Sequence, residues 1–568
     1  MSNVWVVHWQ TSLFNSYSAF STRRIGYNHC KCPPTVAGRD AFQEISVNAG
    51  GKETWAMTAS AIGRRRFLRA AGMTAAAGLV GRIGLAAKPS KRPNILFIMA
   101  DDHTSQAWGC YGSRLSKFAR TKHIDRIAAE GALLRNCFCT NSICVPSRAS
   151  ILTGQYSHVN GAKTLGGRLD PAADNVAKRL QAAGYETAVV GKWHLKAEPA
   201  GFDYYNVLRG QGRYHNPVLF EKGKDWKSGG VVHEGHSTDV IAGEALKWLT
   251  GRKDPTKPFC LMCHFKAVHA PFYSHDRYRN LYADQDLPEP ADLLGPTGPE
   301  NTRIPGWPLE LLKDRFTKNA NRYAPPALDV AGKDADATRR ATYQKFVKDF
   351  LRTVAGLDYN VGRLLGYLDG HGIAEDTVVI YTSDQGYFLG EHNLFDKRLM
   401  LEESLRMPFV LRYPREVRPG TVLEEIVLNV DFAELMLDYA GADIPPAMQG
   451  RSFRANLCGR VPADWRDAMY YHYWTHQPQR PSHYGIRTRD HKLIFYYGLV
   501  RAGKAAEKCW ELYDLKADPH ELVNRYDEAK YKPVIAKLKK RLELLRKEFK
   551  DTVDPMASTA NKKEGKYR

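Results

Sequence analysis

From Pro93 onward, short unbroken apolar runs alternate with stretches whose hydrophobic residues recur at helical spacing. The runs cover 94–100 (Asn-Ile-Leu-Phe-Ile-Met-Ala), 186–191, 259–265, 377–382 and 408–413, and the helical stretches lie near 122–131, 175–184, 238–250, 342–369 and 430–440. A strand wetted on one face alternates apolar and polar residues. Unbroken runs therefore predict strands covered on both faces, in a large mostly parallel sheet sandwiched by helices, an α/β fold. Residues from about 285 to 340 are rich in Pro, Asp and Gly without a steady period and read as a long surface excursion bordering a cleft. After about 455 the texture becomes Tyr-rich, with strand patterns at 469–474, 484–488, 492–497 and 509–513 and a charged helix over about 530–550. These predict a smaller C-terminal α+β domain of antiparallel strands and a helix. A chain of 568 residues also exceeds one core of ordinary size. The expected division is a large domain over 88–455, a C-terminal subdomain over 456–553 and a flexible tail over 554–568.

The start of the chain has a different character. Residues 64–68 are Arg-Arg-Arg-Phe-Leu, followed by Ala- and Gly-rich apolar sequence as far as Leu85-Ala86-Ala87. That order resembles a twin-arginine export signal. Met57 precedes it by seven residues, so 57–87 is expected to be the signal and 1–56 a non-native, disordered upstream extension. The body is then expected in the periplasm or secreted, with the twin-arginine export machinery as a partner. Beyond the leader no run of roughly 18 apolar residues predicts a stable membrane span.

Hydrophobic content of 43% with 25% charged residues describes a globular body. The formal charge is +21, of which residues 1–87 supply +7 through ten Lys/Arg against three Asp/Glu, leaving +14 for the rest. Such a surplus favours polyanionic partners. No zinc-finger spacing and no basic-aromatic RNA-binding signature accompanies it, so nucleic acid is not the expected partner. Ten cysteines lack the paired CxxC spacing of a structural zinc site, and most read as small buried hydrophobes.

Ligands of open parallel sheets bind beyond the carboxyl ends of the strands. Here those ends run into Asp101-Asp102, Lys192-Trp193-His194, Lys266 with His269, and Asp384-Gln385. Paired carboxylates with an amide oxygen suit one hard divalent cation, calcium before magnesium, whereas zinc would want a His/Cys trio. Asp101-Asp102 taken alone reads equally well as a helix cap. Cys144 stands just before Pro146, where a helix begins. A helix N-terminus lowers a thiol's pKa and attracts oxyanions, and Arg148 adds a planar fork for anionic oxygens. A buried cysteine at a helix entry is the plainer reading of the same residues.

The stretch Cys144-Val145-Pro146-Ser147-Arg148, followed after four residues by Thr153-Gly154, resembles the signature of the formylglycine-dependent (type I) sulfatases of the alkaline phosphatase superfamily. Gly191-Lys-Trp-His-Leu195, Ser383-Asp-Gln-Gly386, Gly390-Glu-His392, Lys397 and Leu512-Tyr-Asp-Leu515 with Asp518-Pro519 extend the likeness over most of 93–550. The resemblance implies an alkaline phosphatase-like fold and oxidation of Cys144 to formylglycine in the unfolded chain. A formylglycine-generating or anaerobic sulfatase-maturing enzyme is the implied partner for that step. The hydrated aldehyde would attack sulfur with one hydroxyl and expel sulfate through the second. By the same resemblance Asp101, Asp102, Asp384, Gln385 and the modified Cys144 bind calcium. Arg148 and Lys192 position the nucleophile, His194 takes its proton, His269 protonates the leaving oxygen and Lys397 holds sulfate. Many relatives carry Asn or His in place of Gln385, and often Pro where Val268 precedes His269.

Thr140-Asn141-Ser142-Ile143, Gly210-Gln-Gly212 with Tyr214 and Asn216-Pro217, and Tyr484-Gly485-Ile486-Arg487-Thr488 look most like bacterial polysaccharide or N-acetylglucosamine-6-sulfatase-like enzymes. A sulfated carbohydrate is the expected substrate. His215, His472 and His483 are candidate sugar contacts, although a lone histidine in a Tyr-rich strand is more often structural. An arylsulfatase, or a phosphonate or phosphate ester hydrolase on the same fold, is the alternative enzyme. An inactive glycan-binding protein would follow if Cys144 were never oxidised.

Overall fold

The computed structural model describes residues 92–552 apart from 319–321, 478 and 500–506. The expected upstream extension, leader and tail lie outside the described residues. Ten strands form one sheet: β1 (Asn94–Ala100), β2 (Ala132–Leu134), β3 (Glu186–Lys192), β4 (Tyr204–Leu208), β5 (Val218–Glu221), β6 (Gly230–Val232), β7 (Phe259–His264), β8 (Thr377–Ser383), β9 (Phe409–Arg412) and β10 (Thr421–Leu423). Their order is β10-β2-β9-β8-β1-β7-β3-β4-β5-β6. The central five, β8-β1-β7-β3-β4, run parallel. β9 pairs antiparallel with β8, and β5 and β6 continue antiparallel at the other side. The 408–413 run is thus a strand as expected, but its direction is not written in its hydrophobicity.

Successive residues of β1 enter opposite cores: Leu96 and Ile98 one, Ile95, Phe97 and Met99 the other. The first core is closed by helices Lys122–Ala129, Ser237–Thr250 and Ala335–Gly370, the second by Cys144–Thr153, Val176–Ala182 and Phe432–Ala440. Every residue of β1 and β8 is buried, which is why their sequences show no alternation. The longest helix starts earlier than its periodicity predicts, because the Asp334 carboxylate caps it by accepting from the Ala337 N–H at 2.8 Å. The 285–340 excursion is likewise not wholly irregular. It holds the helix Leu309–Lys318, which buries Leu309, Leu312 and Phe316 and packs against the longest helix. Three apolar positions between Pro- and Gly-rich flanks were too few to register as a period.

A second sheet of four antiparallel strands runs β11 (Ala468–Tyr473), β12 (His483–Thr488), β13 (His491–Leu499), β14 (Glu507–Asp514). Helix Lys532–Glu548 covers it through Ile535, Leu538, Leu542 and Leu545, in a core that also takes in Phe138, Ile143, Leu399 and Met400. Two bonds carry this support to the segment before Cys144. The Ser142 N–H donates to Tyr471 Oη at 3.1 Å, and the His472 N–H donates to the Thr140 carbonyl at 3.1 Å.

The parallel register brings four strand ends to one level. Met99 lies opposite both His264 and Thr382, and Gly191 opposite His264. The ladder continues past the strands, with Asp101 N–H donating to Ala267 O at 3.0 Å, Val268 N–H to Asp101 O at 2.9 Å and Asp384 N–H to Ala100 O at 3.2 Å. Gly191, one residue before Lys192, has φ +94°, and a Cβ there would stand 2.0 Å from the His264 carbonyl oxygen. Gly191→Ala is therefore expected to cost about 3 kcal/mol, from a strained φ and a backbone clash, read as a lower urea midpoint. A loss below about 0.5 kcal/mol would contradict the close approach.

Candidate active site

Asp101 and Asp102 follow β1, Asp384 and Gln385 follow β8, Lys192 ends β3 with His194 just beyond, and His269 lies in the loop after β7. Cys144 opens a helix whose ten residues are all buried, behind an extended Ile143. Its Sγ lies 3.5 Å from Asp101 Oδ1 and 3.8 Å from Gln385 Nε2. Ligating atoms of Asp101, Asp102 and Cys144 fall within 4.8 Å of one another. Asp101 and Asp102 cap no α-helix, so they are left to this cluster and its cations.

Each carboxylate has its own cation. Lys192 Nζ bonds Asp101 and also Gln211 Oε1, the latter at 2.8 Å. Lys397 Nζ bonds Asp102. Arg148 Nε donates to Asp384 Oδ2 at 2.9 Å and Nη1 to the Lys192 carbonyl at 2.8 Å, while Nη2 is buried without a hydrogen-bond acceptor. Asp384 Oδ1 accepts from the Asp102 N–H at 3.2 Å. The backbone bends hard to achieve this. Asp102, His194, Asp396 and Arg398 take φ of +67°, +60°, +80° and +95°, conformations that non-glycine residues hold only where the surroundings enforce them.

Burial pushes the Asp101 carboxyl up, but Lys192, with His269 and Arg148 behind it, outweighs burial and holds it well below the usual range. Burial, then Asp101, raise Asp384 to about 7 against Arg148. Burial also presses Asp102 toward its neutral form, and Asp101 adds to this against Lys397. Three carboxylates crowded in low dielectric repel one another, a tension that a divalent cation relieves. The Cys144 thiol corrects an expectation. Burial drives it up to about 12 in spite of Lys192 and Lys397, so the thiol is not the low-pKa group expected of a helix N-terminus.

Both histidines are held well below the ordinary imidazole range, chiefly by burial. His194 Nδ1 is buried with no partner among the described residues. His269 Nδ1 lies 2.7 Å from the Ala270 carbonyl, which only accepts, so that nitrogen carries a proton and Nε2, 3.8 Å from Asp102 Oδ2, faces the cluster. The structure thus gathers all ten of the residues singled out in the sequence, Asp101, Asp102, Cys144, Arg148, Lys192, His194, His269, Asp384, Gln385 and Lys397, at one end of the sheet.

Further neighbours complete the lining. Ser147 Oγ donates to the Asp384 carbonyl, Asn429 Nδ2 donates to Ser147 Oγ at 3.1 Å, and the Tyr387 ring lies 5.5 Å from Lys397 Nζ. Ser147 stands inside the Cys-X-Pro-Ser-Arg stretch, whereas the Asn429 contact is long-range and no local spacing announces it. Two of the three candidate sugar-contact histidines are buried and committed elsewhere. His472 sits between Asp551 Oδ2 at 2.6 Å and Tyr497 Oη at 2.7 Å, and His483 Nδ1 bonds the Pro481 carbonyl at 2.8 Å. His215 is exposed, its ring 5.5 Å from that of Tyr273.

The sulfatase family model matches residues 93–442, and the model described as N-sulphoglucosamine sulphohydrolase, C-terminal, matches 390–548. An N-acetylglucosamine-6-O-sulfatase of Bacteroides thetaiotaomicron is 40% identical over 508 residues, 82% of this chain and 88% of that protein. A solved sulfatase-like structure in complex with its substrate, D-glucosamine-2-N,6-O-disulfate, superposes with a TM-score of 0.72 at 38% identity, covering 82% of this chain and 99% of that one. A phosphonate monoester hydrolase from Silicibacter pomeroyi, TM-score 0.61 at 23% identity over 80% of this chain and 95% of its own, shares the fold. With the family model spanning the whole sheet and its strand-end cluster, and a relative this similar over most of both chains, the chain belongs to the sulfatase family of sulfuric ester hydrolases.

Proposed function

We propose that this chain hydrolyses sulfate esters on a carbohydrate, with the 6-sulfate of N-acetylglucosamine as the foremost substrate, using a formylglycine made from Cys144 and one bound calcium ion. The observation that carries this reading is the position of Cys144: buried at a helix start, beside Asp101 and Gln385, with Arg148 Nη2 3.9 Å from the same Asp101 oxygen and free of any hydrogen-bond acceptor. The name of the 40% identical relative supports the sugar.

The residues fit a hard cation. Gln385 Oε1 is buried without a partner, and carboxylate and amide oxygens are the ligands that calcium takes. Asp101, Asp102, Asp384 and Gln385, with position 144, would hold it, and its charge would polarise the sulfuryl oxygens. The hydrated formylglycine would supply one hydroxyl to attack sulfur and a second whose deprotonation releases sulfate. Arg148, through Nη2, and Lys397 present N–H groups to the charge that develops on the sulfuryl oxygens. Lys192, fixed by Asp101 and Gln211, orients the nucleophile. His194, with Nδ1 uncommitted, is the base for the second hydroxyl. His269 has its Nδ1 proton engaged with Ala270, so donation to the leaving oxygen from Nε2 requires the imidazolium, which burial disfavours and Asp101 favours.

Cys144 is 1% exposed in a wholly buried helix, so a maturing enzyme would reach it before the chain folds. Export by the twin-arginine machinery to the periplasm or beyond, supported by Arg64-Arg65 and the apolar stretch after them, fits that order. No helix among the described residues is long and apolar enough to cross a membrane. The division into 88–455 and 456–553 belongs to the same reading, the second part backing Thr140–Ile143 through Tyr471 and His472.

Cys144→Ala is expected to lower sulfate release from N-acetylglucosamine 6-sulfate by more than about 10³-fold, with the thermal midpoint moved by less than about 3 °C. Mass spectrometry of the wild-type peptide around position 144 should find an aldehyde, and a thiol throughout in active enzyme would sink the formylglycine reading. Calcium at a hundredfold excess over its Kd should stabilise the chelated protein by about 2.7 kcal/mol, and Gln385→Leu should shrink that gain. A melting midpoint indifferent to calcium would count against the assigned ligands.

A further inference from the structure

Lys266 has no place in the assigned machinery, yet it is the least compensated charge in the site. It follows β7 and is 2% exposed. Lys192 and Lys397 each bond a carboxylate, and Arg148 bonds Asp384. The Lys266 ammonium makes no hydrogen bond and no ion pair among the described residues. Its one close contact is the face of Tyr214, with Nζ 4.7 Å from the ring centroid.

Burying a lone ammonium is among the costlier choices a fold makes, and an aromatic face returns a small part of that cost. The surroundings leave Lys266 little room to move away. The next residue's carbonyl accepts from the Asp101 N–H at 3.0 Å, and Tyr214 Oη donates to the His269 carbonyl at 2.7 Å, which fixes the ring under the amine. Lys192, Asp101, Asp102 and Cys144 are the groups whose charges it feels, so the amine lies on the reacting side of the sheet. Burial, then Lys192, bring its pKa down to about 8, as expected of an amine with no carboxylate of its own. An ammonium with no protein acceptor among the described residues, on the wall of an anion site, is placed to take an anionic oxygen.

We infer that Lys266 is a substrate contact: its ammonium takes an oxyanion oxygen of the bound sulfate ester, and of the inorganic sulfate left after turnover, beside Arg148 and Lys397. This rests on the sulfate-ester reading above. No bond is made or broken by Lys266, so its contribution belongs to binding more than to the chemical step.

The test compares wild type with Lys266→Met, which keeps the length and removes the charge, and with Lys266→Gln in case the first variant folds poorly. In calcium-loaded protein, titration calorimetry with inorganic sulfate should show Kd raised about tenfold or more in either variant, the loss of one charge-assisted hydrogen bond. KM for the sulfate ester should rise in parallel, with the thermal midpoint unchanged or higher because a buried charge is gone. Lys266→Arg should recover part of the sulfate affinity. Sulfate bound as tightly by Lys266→Met or Lys266→Gln as by wild type would overturn the inference, whatever happens to kcat. A wild-type protein that neither binds inorganic sulfate nor releases it from any ester would instead overturn the sulfate-ester reading itself.

Discussion

Seven charged side chains share a pocket from which water is almost excluded: Asp101, Asp102, Asp384, Arg148, Lys192, Lys266 and Lys397 are all 3% exposed or less. Burying a charge without a partner at close range costs a fold stability, because desolvation is then left uncompensated. Six of the seven form close pairs across five separate chain segments, Lys192 with Asp101, Lys397 with Asp102 and Arg148 with Asp384, while Lys266 lies against Tyr214. The register of the parallel strands follows from this demand as much as it serves it. A slip of one residue in β1 against β8 would carry Asp101 and Asp384 onto opposite faces and leave three cations unpaired. Left-handed backbone at Asp102, His194, Asp396 and Arg398 is the local cost of turning each side chain toward the common point.

The C-terminal sheet extends the same constraint outward. Helix Cys144–Thr153 sits between the main sheet and the short run Thr140–Ile143, which has too few residues to hold itself in place. Tyr471 Oη accepts from Ser142 and donates to the Arg398 carbonyl at 2.6 Å, so one buried phenol ties the approach to Cys144 to the loop that carries Lys397. Asp551, near the end of the described chain, accepts from Tyr470 and meets His472 at 2.6 Å, fastening the strand from which Tyr471 projects. Charge placement at the sheet's edge thus depends on contacts made some three hundred residues later in the chain.

Much of this is legible in the sequence because two-sided burial erases alternation, which is why the runs at 94–100 and 377–382 read as central strands. Direction is not legible in the same way. The antiparallel pairing of β9 follows from its connection and partners, to which periodicity is blind. The helix Leu309–Lys318 escaped for a related reason, since three buried residues among prolines carry little periodic signal. At the site, strand ends and the Cys-X-Pro-Ser-Arg stretch point to nine residues and the family resemblance adds Lys397, and all ten lie together. What local pattern could not supply was the balance of opposing effects at one atom. A helix N-terminus at Cys144 is visible in sequence, whereas the desolvation that raises the thiol's pKa depends on which distant segments close over it. Asn429 has its Ser147 partner 282 residues away, and nothing nearby marks it, while Ser147 and Gln211 lie in the recognised stretches 144–148 and 210–212, which do not reveal their bonds to Asp384 and Lys192.

The enclosure that strengthens every electrostatic interaction in the pocket also fixes an order of events. With Cys144 1% exposed and its whole helix buried, no macromolecule can reach the sulfur in the folded chain without unpacking the second core, where Val145, Ala149, Ile151 and Leu152 are seated. Opening that helix would expose four apolar side chains at about 1 to 3 kcal/mol each and break the Arg148–Asp384 pair, a fluctuation too rare to serve a modifying enzyme. Any chemistry that position 144 needs from another protein must therefore precede the docking of this helix. The same burial that strengthens the electrostatics of the pocket thus sets the order in which position 144 can be reached and its helix docked.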